Sequence, residues 1–114
     1  MKRLTKPEGK YNLVIEEALM PQPAPGEVRI KAVRSLISRG SEMGARYTRE
    51  HAVSPDIMGY SDAGEVVAIS PDVNNFSVGQ RVMVNAPHAQ YVIGNESGRR
   101  KRAFALPEDL TYEA

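Results

Sequence analysis

The chain has 114 residues, 41% of them apolar and 25% charged, with a formal net charge of +1 and no cysteine. That length allows one domain with a real core, and the composition is that of a folded globular chain, not a disordered or membrane-spanning one. The balanced charge argues against nucleic acid or anionic lipid as partners, no apolar run approaches bilayer length, and the lack of cysteine removes disulfides, thiol nucleophiles and every Cys-based zinc site.

The start, Met1-Lys2-Arg3-Leu4-Thr5-Lys6, is basic but leads into no apolar stretch. No secretory signal is expected, and a cytoplasmic location is. Tyr11–Glu16 is rich in β-formers and predicts a strand. Met20–Gly26 carries three prolines and a glycine, which cannot be a central strand or a helix interior. Glu27–Arg34 alternates polar and apolar residues with period 2, the signature of a half-buried strand with Val28, Ile30 and Ala32 inward. Residues 38–52 are the one stretch expected to hold a short helix or irregular turn, before Pro55. Gly64–Ile69 is a more continuous apolar run, broken only by Glu65, and predicts a well-buried strand. Ser70–Asn75 is turn chemistry, Arg81–Val84 and Gln90–Ile93 predict two more short strands, and Leu106–Ala114 reads as a helix start with Thr111 as its N-cap. A helix cut within its first turn is not stable alone, so Ala114 is expected to be a cut within something larger or an edge that docks on another chain. The pattern as a whole is mainly β, in one domain over residues 1–114.

Six segments in order carry a family resemblance. Pro25-Gly26-Glu27-Val28-x-Ile30-Lys31 resembles P-G-E-V-x-V-K; Ser38-Arg39-Gly40-Ser41-Glu42 resembles C-G-[ST]-D; Gly59-Tyr60-Ser61-x-x-Gly64-x-Val66 resembles G-H-E-x-x-G-x-V. Val73-x-x-Phe76-x-Val78-Gly79-Gln80-Arg81-Val82 resembles V-x-x-F-x-V-G-D-R-V, Ala89-Gln90-Tyr91-Val92 resembles A-E-Y-V, and Leu106-Pro107 resembles the L-P before a crossover into a second domain. These are the motifs of the medium-chain dehydrogenase/reductase superfamily, the zinc alcohol dehydrogenases and their relatives. The resemblance implies a GroES-like, partly open β-barrel with short helical segments, the N-terminal catalytic domain of such an enzyme. Its Rossmann cofactor domain is not in the sequence, and no G-x-G-x-x-G fingerprint is present. NAD(P) is therefore expected only together with that domain, from the same gene or a separate chain, and the isolated chain is expected to be inactive, binding NAD(P)H no better than millimolar. Within the superfamily, Ser38–Glu42, Gly59-Tyr60-Ser61 and Ala86-Pro87-His88-Ala89 resemble a zinc-free branch, near bacteriochlorophyllide-type and threonine-dehydrogenase-like oxidoreductases.

The positions that would hold the metal carry other chemistry. Arg39 replaces the Cys, and a guanidinium has no lone pair to ligate with. Tyr60 and Ser61 replace His and Glu, and the cysteines of the structural zinc lobe are missing, so no zinc and no metal site is expected. Arg39 is the cofactor-binding candidate, its forked donors suiting a phosphate or an acidic substrate group; the alternative is an ion pair with Glu42. Three catalytic candidates remain. Ser41 stands at the family's proton-relay hydroxyl, or simply caps local backbone. Tyr60 is either an electrophile toward a carbonyl or an aromatic packed into the vacated metal site. His88 is either an acid/base facing the cleft or a structural histidine. The basic run Arg99–Arg102 reads as a solvated loop tip. The function expected is the substrate-side half of a zinc-independent, NAD(P)-dependent oxidoreductase for a small alcohol or carbonyl. The alternative is a non-enzymatic GroES-like interaction or oligomerisation module, and homo-oligomerisation stays open.

Overall fold

The computed structural model describes residues 1–97 and 100–113. Arg99, in the basic run, and Ala114, at the expected helix start, lie outside the described residues. Seven strands run in order: β1 (Lys2–Thr5), β2 (Val14–Glu17), β3 (Glu27–Ser35), β4 (Asp62–Ile69), β5 (Arg81–Val84), β6 (Tyr91–Asn95) and β7 (Ala103–Ala105). β1 and β2 form a separate antiparallel pair, and the other five make one antiparallel sheet in the order β6-β3-β4-β5-β7. That sheet curls into a half-barrel, the GroES-like architecture.

The curl has a local cause. β3 shifts register against β4 between Arg29 and Ile30 and again between Ala32 and Arg34. Each such irregularity bends a strand and increases its twist. The alternation in β3 then sorts its residues: Val28 and Ile30 are fully buried while Lys31 is exposed. From β4, Val66 meets them; Val82 and Val84 come from β5, Val92 from β6 and Ala103 from β7. Val73 and Phe76, on the turn between β4 and β5, close the end of this core. Burying a side chain such as Ile30 or Val66 contributes about 1.5–3 kcal/mol. A smaller cluster of Tyr47, Val53 and Met58, with Leu4 against it, sits beyond the sheet.

The stretch read as helical or irregular is mostly irregular. Arg39–Met43 forms one wide π-type turn, and Pro55–Ile57 a single 3-10 turn. Residues 108–113 form only turns, so the expected helix start at Thr111 is not made. Leu110 closes back on Pro107 through its N–H instead, as a proline-led turn does. Among the described residues no helix is long and apolar enough to cross a membrane.

Candidate functional site

One buried polar cluster lies where the π-type turn, the end of β3, the start of β4 and the loop after β5 come together. Its centre is Glu42, whose side chain is fully buried. The turn that carries it is capped reciprocally. The Ser38 side chain accepts from the Ser41 N–H at 3.4 Å, and Glu42 Oε2 accepts from the Ser38 N–H at 2.7 Å. This is capping-box logic, in which a side chain at each end satisfies a backbone donor at the other. The remaining carboxylate oxygen, Oε1, accepts from the Tyr47 hydroxyl at 3.2 Å and is bonded by His88 Nε2. Three donors thus hold a carboxylate that could not otherwise be buried. Burial, and then the charge of Glu42, push the Tyr47 phenol up to about 12, so it stays a donor.

His88 is fixed on every side. Its N–H donates to the Met58 carbonyl at 2.7 Å, and its carbonyl accepts from the Leu4 N–H at 2.9 Å. Its ring lies against the α-carbon of Gly59. A Cβ on Gly59 would come within 2.6–2.7 Å of three ring atoms, and Gly59 has φ of +103°, a conformation side chains rarely adopt. Gly59→Ala is therefore expected to cost the domain about 2 kcal/mol from strain and ring displacement, read as a lowered melting temperature. The ring's other nitrogen, Nδ1, is 2.6 Å from Ser35 Oγ at the end of β3. With Nε2–H given to Glu42, neutral His88 accepts the Ser35 proton at Nδ1; once protonated, it donates there instead.

A second carboxyl completes the cluster. Asp62 pairs across the sheet with Ser35 on one side and with Val84 on the other. It falls on the inward face of β4 with Gly64 and Val66. It is 2% exposed, and among the described residues neither carboxyl oxygen has a hydrogen-bond partner. Desolvation first, and then the charge of Glu42, push Asp62 up to about 8. Burial and a neighbouring acid both favour its protonated form, as expected when two acids share one low-dielectric site. Ser35, Leu36, Asp62, Met83 and Tyr112 border a cleft of about 440 Å³. A second cleft, of about 620 Å³, runs past Gly59, Asn85 and His88.

With this geometry in view, the relatives decide the family. Residues 24–110 match the alcohol dehydrogenase GroES-like domain. The chain belongs to that family. It is similar to L-threonine 3-dehydrogenase of Thermococcus kodakarensis, 35% identical over 88 residues that cover 74% of this chain and 25% of that one. The corresponding enzyme of Pyrococcus furiosus is 39% identical over 84 residues, 70% of this chain and 23% of that one. Among solved structures, an NAD-dependent alcohol dehydrogenase superposes with a TM-score of 0.78 over 99% of this chain and 41% of that one, at 19% identity, which speaks for the fold alone. The GroES-like domain thus spans about a quarter of the length of the curated relatives it matches. It is an N-terminal domain of the medium-chain dehydrogenase/reductase superfamily.

The GroES-like domain treats the residues singled out from its sequence unequally. His88 lies at the centre of the polar cluster. Ser41 is half-buried on the same turn as Glu42, held through its N–H, and its hydroxyl has no hydrogen-bond partner among the described residues. Arg39 is exposed at the start of that turn. The ion pair suggested between Arg39 and Glu42 is not made, because Glu42 is taken by Ser38, Tyr47 and His88. Tyr60 is 37% exposed and belongs to neither apolar core, so the packed-aromatic reading is not met. Four members of the cluster escaped the sequence reading: Ser35, Glu42 as its hub, Tyr47 and Asp62. A signal existed for Asp62, because counting back by two from Val66 through Gly64 puts it on the inward face.

Proposed function

We propose that this domain is the substrate-side half of a zinc-independent, NAD(P)-dependent oxidoreductase acting on an alcohol or carbonyl, completed by a Rossmann domain from the same gene or a separate chain. The observation that carries the reading is the donor set at the family's metal positions. Arg39 has no lone pair to give, and Tyr60 and Ser61 are neutral oxygen donors. Glu42, three residues after Arg39, is already bonded to three groups of the protein. Among the described residues no group of three or more His, Cys, Asp or Glu side chains could hold a metal ion. Zinc does not fit these residues, and no proton or hydride step is routed through one.

The nicotinamide supplies hydride exchange when bound. The protein must then orient the substrate and handle the proton that accompanies the hydride. His88 stands in the polar cluster, Ser41 on the turn that carries Glu42, and the half-exposed phenol of Tyr60 follows Gly59, against which the His88 ring lies. The similarity to threonine dehydrogenases makes L-threonine the first substrate to assay, with simple secondary alcohols beside it. The decisive experiment uses the complete polypeptide. Its metal content is measured, and oxidation with NAD+ and NADP+ is followed before and after treatment with 1,10-phenanthroline. Turnover that survives chelation, with well under one zinc per chain, is the expected result. One zinc per chain and activity lost with it would overturn the reading.

Arg39 is assigned to a cofactor phosphate, since it is exposed and among the described residues has no ion-pair partner. Losing one charge-assisted bond of about 1.5–3 kcal/mol corresponds to roughly ten- to a hundredfold in affinity. Arg39→Ala is expected to raise the cofactor Kd about tenfold by titration, with the melting temperature unchanged. An unchanged Kd would remove Arg39 from the cofactor site.

A further inference from the structure

The buried cluster contains more than a histidine. Three of its side chains form a continuous hydrogen-bonded line from an exposed residue to a fully buried carboxylate: Ser35 Oγ to His88 Nδ1 at 2.6 Å, then His88 Nε2 to Glu42 Oε1. Both ring nitrogens are occupied, so the imidazole has no free nitrogen to offer the larger cleft that it borders. The one position in the line able to accept a proton from outside is the Ser35 hydroxyl. It gives its hydrogen to Nδ1 and keeps a lone pair. It borders the cleft of about 440 Å³, a volume that suits a small substrate. Asp62 borders the same cleft with both carboxyl oxygens unpartnered. A polar group so buried and so unsatisfied points to a partner supplied by something that enters.

We propose that Ser35 is a catalytic residue that exchanges a proton with the reacting oxygen of the substrate, and that His88 and Glu42 form the relay behind it. The proposal rests on the oxidoreductase reading above and adds the route of the proton. In alcohol oxidation, the substrate C–H bond breaks and its hydride passes to the oxidised nicotinamide. The substrate O–H bond breaks, its proton goes to Ser35 Oγ, and the Ser35 O–H proton passes to His88 Nδ1. The carbonyl product leaves, and the imidazolium stays beside the Glu42 carboxylate until water removes the proton. Carbonyl reduction runs the same path backwards. Glu42 and His88 touch each other and not the substrate, so they position and charge-balance Ser35. The groups bonded to the imidazole are Ser35 from β3 and Glu42 from the π-type turn, with Tyr47, four residues after that turn, on the same Glu42 oxygen. This arrangement places the proton chemistry on Ser35, not on Ser41, whose hydroxyl is bonded to none of these groups.

The test uses Ser35→Ala and Ser35→Thr in the complete polypeptide, each checked by its amide NMR spectrum. The first readout does not need turnover: exchange of the His88 ring N–H with water, by 15N-edited NMR. The ring N–H exchanges by way of the imidazolium, which forms when a proton reaches Nδ1 through the Ser35 hydroxyl; Ser35→Ala is therefore expected to slow that exchange at least tenfold, and Ser35→Thr to restore it within about threefold. The second readout is oxidation of propan-2-ol with NAD+ or NADP+. Ser35→Ala is expected to lower kcat about a hundredfold, the scale of general acid–base catalysis, with KM within threefold, and Ser35→Thr to recover most of it. Unchanged ring N–H exchange in Ser35→Ala overturns the relay whether or not the protein oxidises an alcohol. Undiminished kcat overturns Ser35 as the catalytic residue. A wild-type protein that turns over no alcohol, but shows the exchange effect, would sink the oxidoreductase reading and leave the proton route standing.

Discussion

Glu42→Ala is expected to destabilise the domain by about 3–5 kcal/mol, because three donors lose one shared acceptor. The size follows from what is left behind. The Ser38 N–H, the Tyr47 hydroxyl and the His88 ring each lose their acceptor at once, and each is enclosed by protein. A buried donor without a partner costs about 1–3 kcal/mol. The reciprocal half of the turn's cap, from the Ser38 N–H to Glu42, is lost with it, which loosens the segment carrying Arg39 and Ser41. Glu42→Gln keeps one acceptor oxygen but turns an N–H₂ group toward one of the donors, so its cost should lie near the low end, about 1–3 kcal/mol. Hydrogen exchange at the Val66 and Val82 amides in the complete polypeptide measures opening of this domain directly. A loss below about 1 kcal/mol in Glu42→Ala would mean that Glu42 does not hold the cluster together.

The strands of the sheet were legible because their signal is local. Period 2 in Glu27–Arg34 predicted β3 and its inward Val28 and Ile30, and the apolar run from Gly64 predicted β4. Arg81–Val84 is β5 as expected, and Gln90–Ile93 falls on β6. Two strands were not legible. β1 reads as a charged N-terminus, and β7 has only three residues, Ala103–Ala105; both are defined by the partners they pair with, not by their own pattern. The GroES-like family was legible because glycines and turns of fixed spacing run in order along nearly the whole chain. The polar cluster was not. Ser35 and His88 are 53 residues apart in sequence, and Glu42 and His88 46 apart, so their contacts exist only once the sheet has curled. Residue type misled as well: Tyr60 drew attention by standing at a ligand position, whereas Ser35, an ordinary strand-end serine, carries the bond to the imidazole.

Asp62 provides the second large effect, and its sign can be worked out. Its folded-state value, about 8, lies above the ordinary carboxyl value of 3.8. The folded domain therefore holds a proton that the unfolded chain has already lost between these limits. Its contribution to stability is fully present below about pH 4, declines as pH rises, and is gone above about pH 8. At about 1.36 kcal/mol per unit the full span is at most about 6 kcal/mol, and relaxation around the ionised group should bring the measured decline to about 2–4 kcal/mol. Glu42 is the charged neighbour that adds to the shift, after desolvation, so Glu42→Gln should shrink the decline without abolishing it. Asp62→Asn mimics the protonated acid in size and polarity and cannot ionise. It is expected to flatten the pH dependence and to leave the domain more stable than wild type at pH 8 by about 2–4 kcal/mol, with little difference at pH 5. Val66 and Val82 amide exchange, measured from pH 5 to pH 9 in both proteins and corrected for intrinsic rates, checks this. Parallel curves for the two proteins would show that Asp62 is ionised and accommodated at neutral pH, and that the cleft beside Ser35 is bordered by its carboxylate.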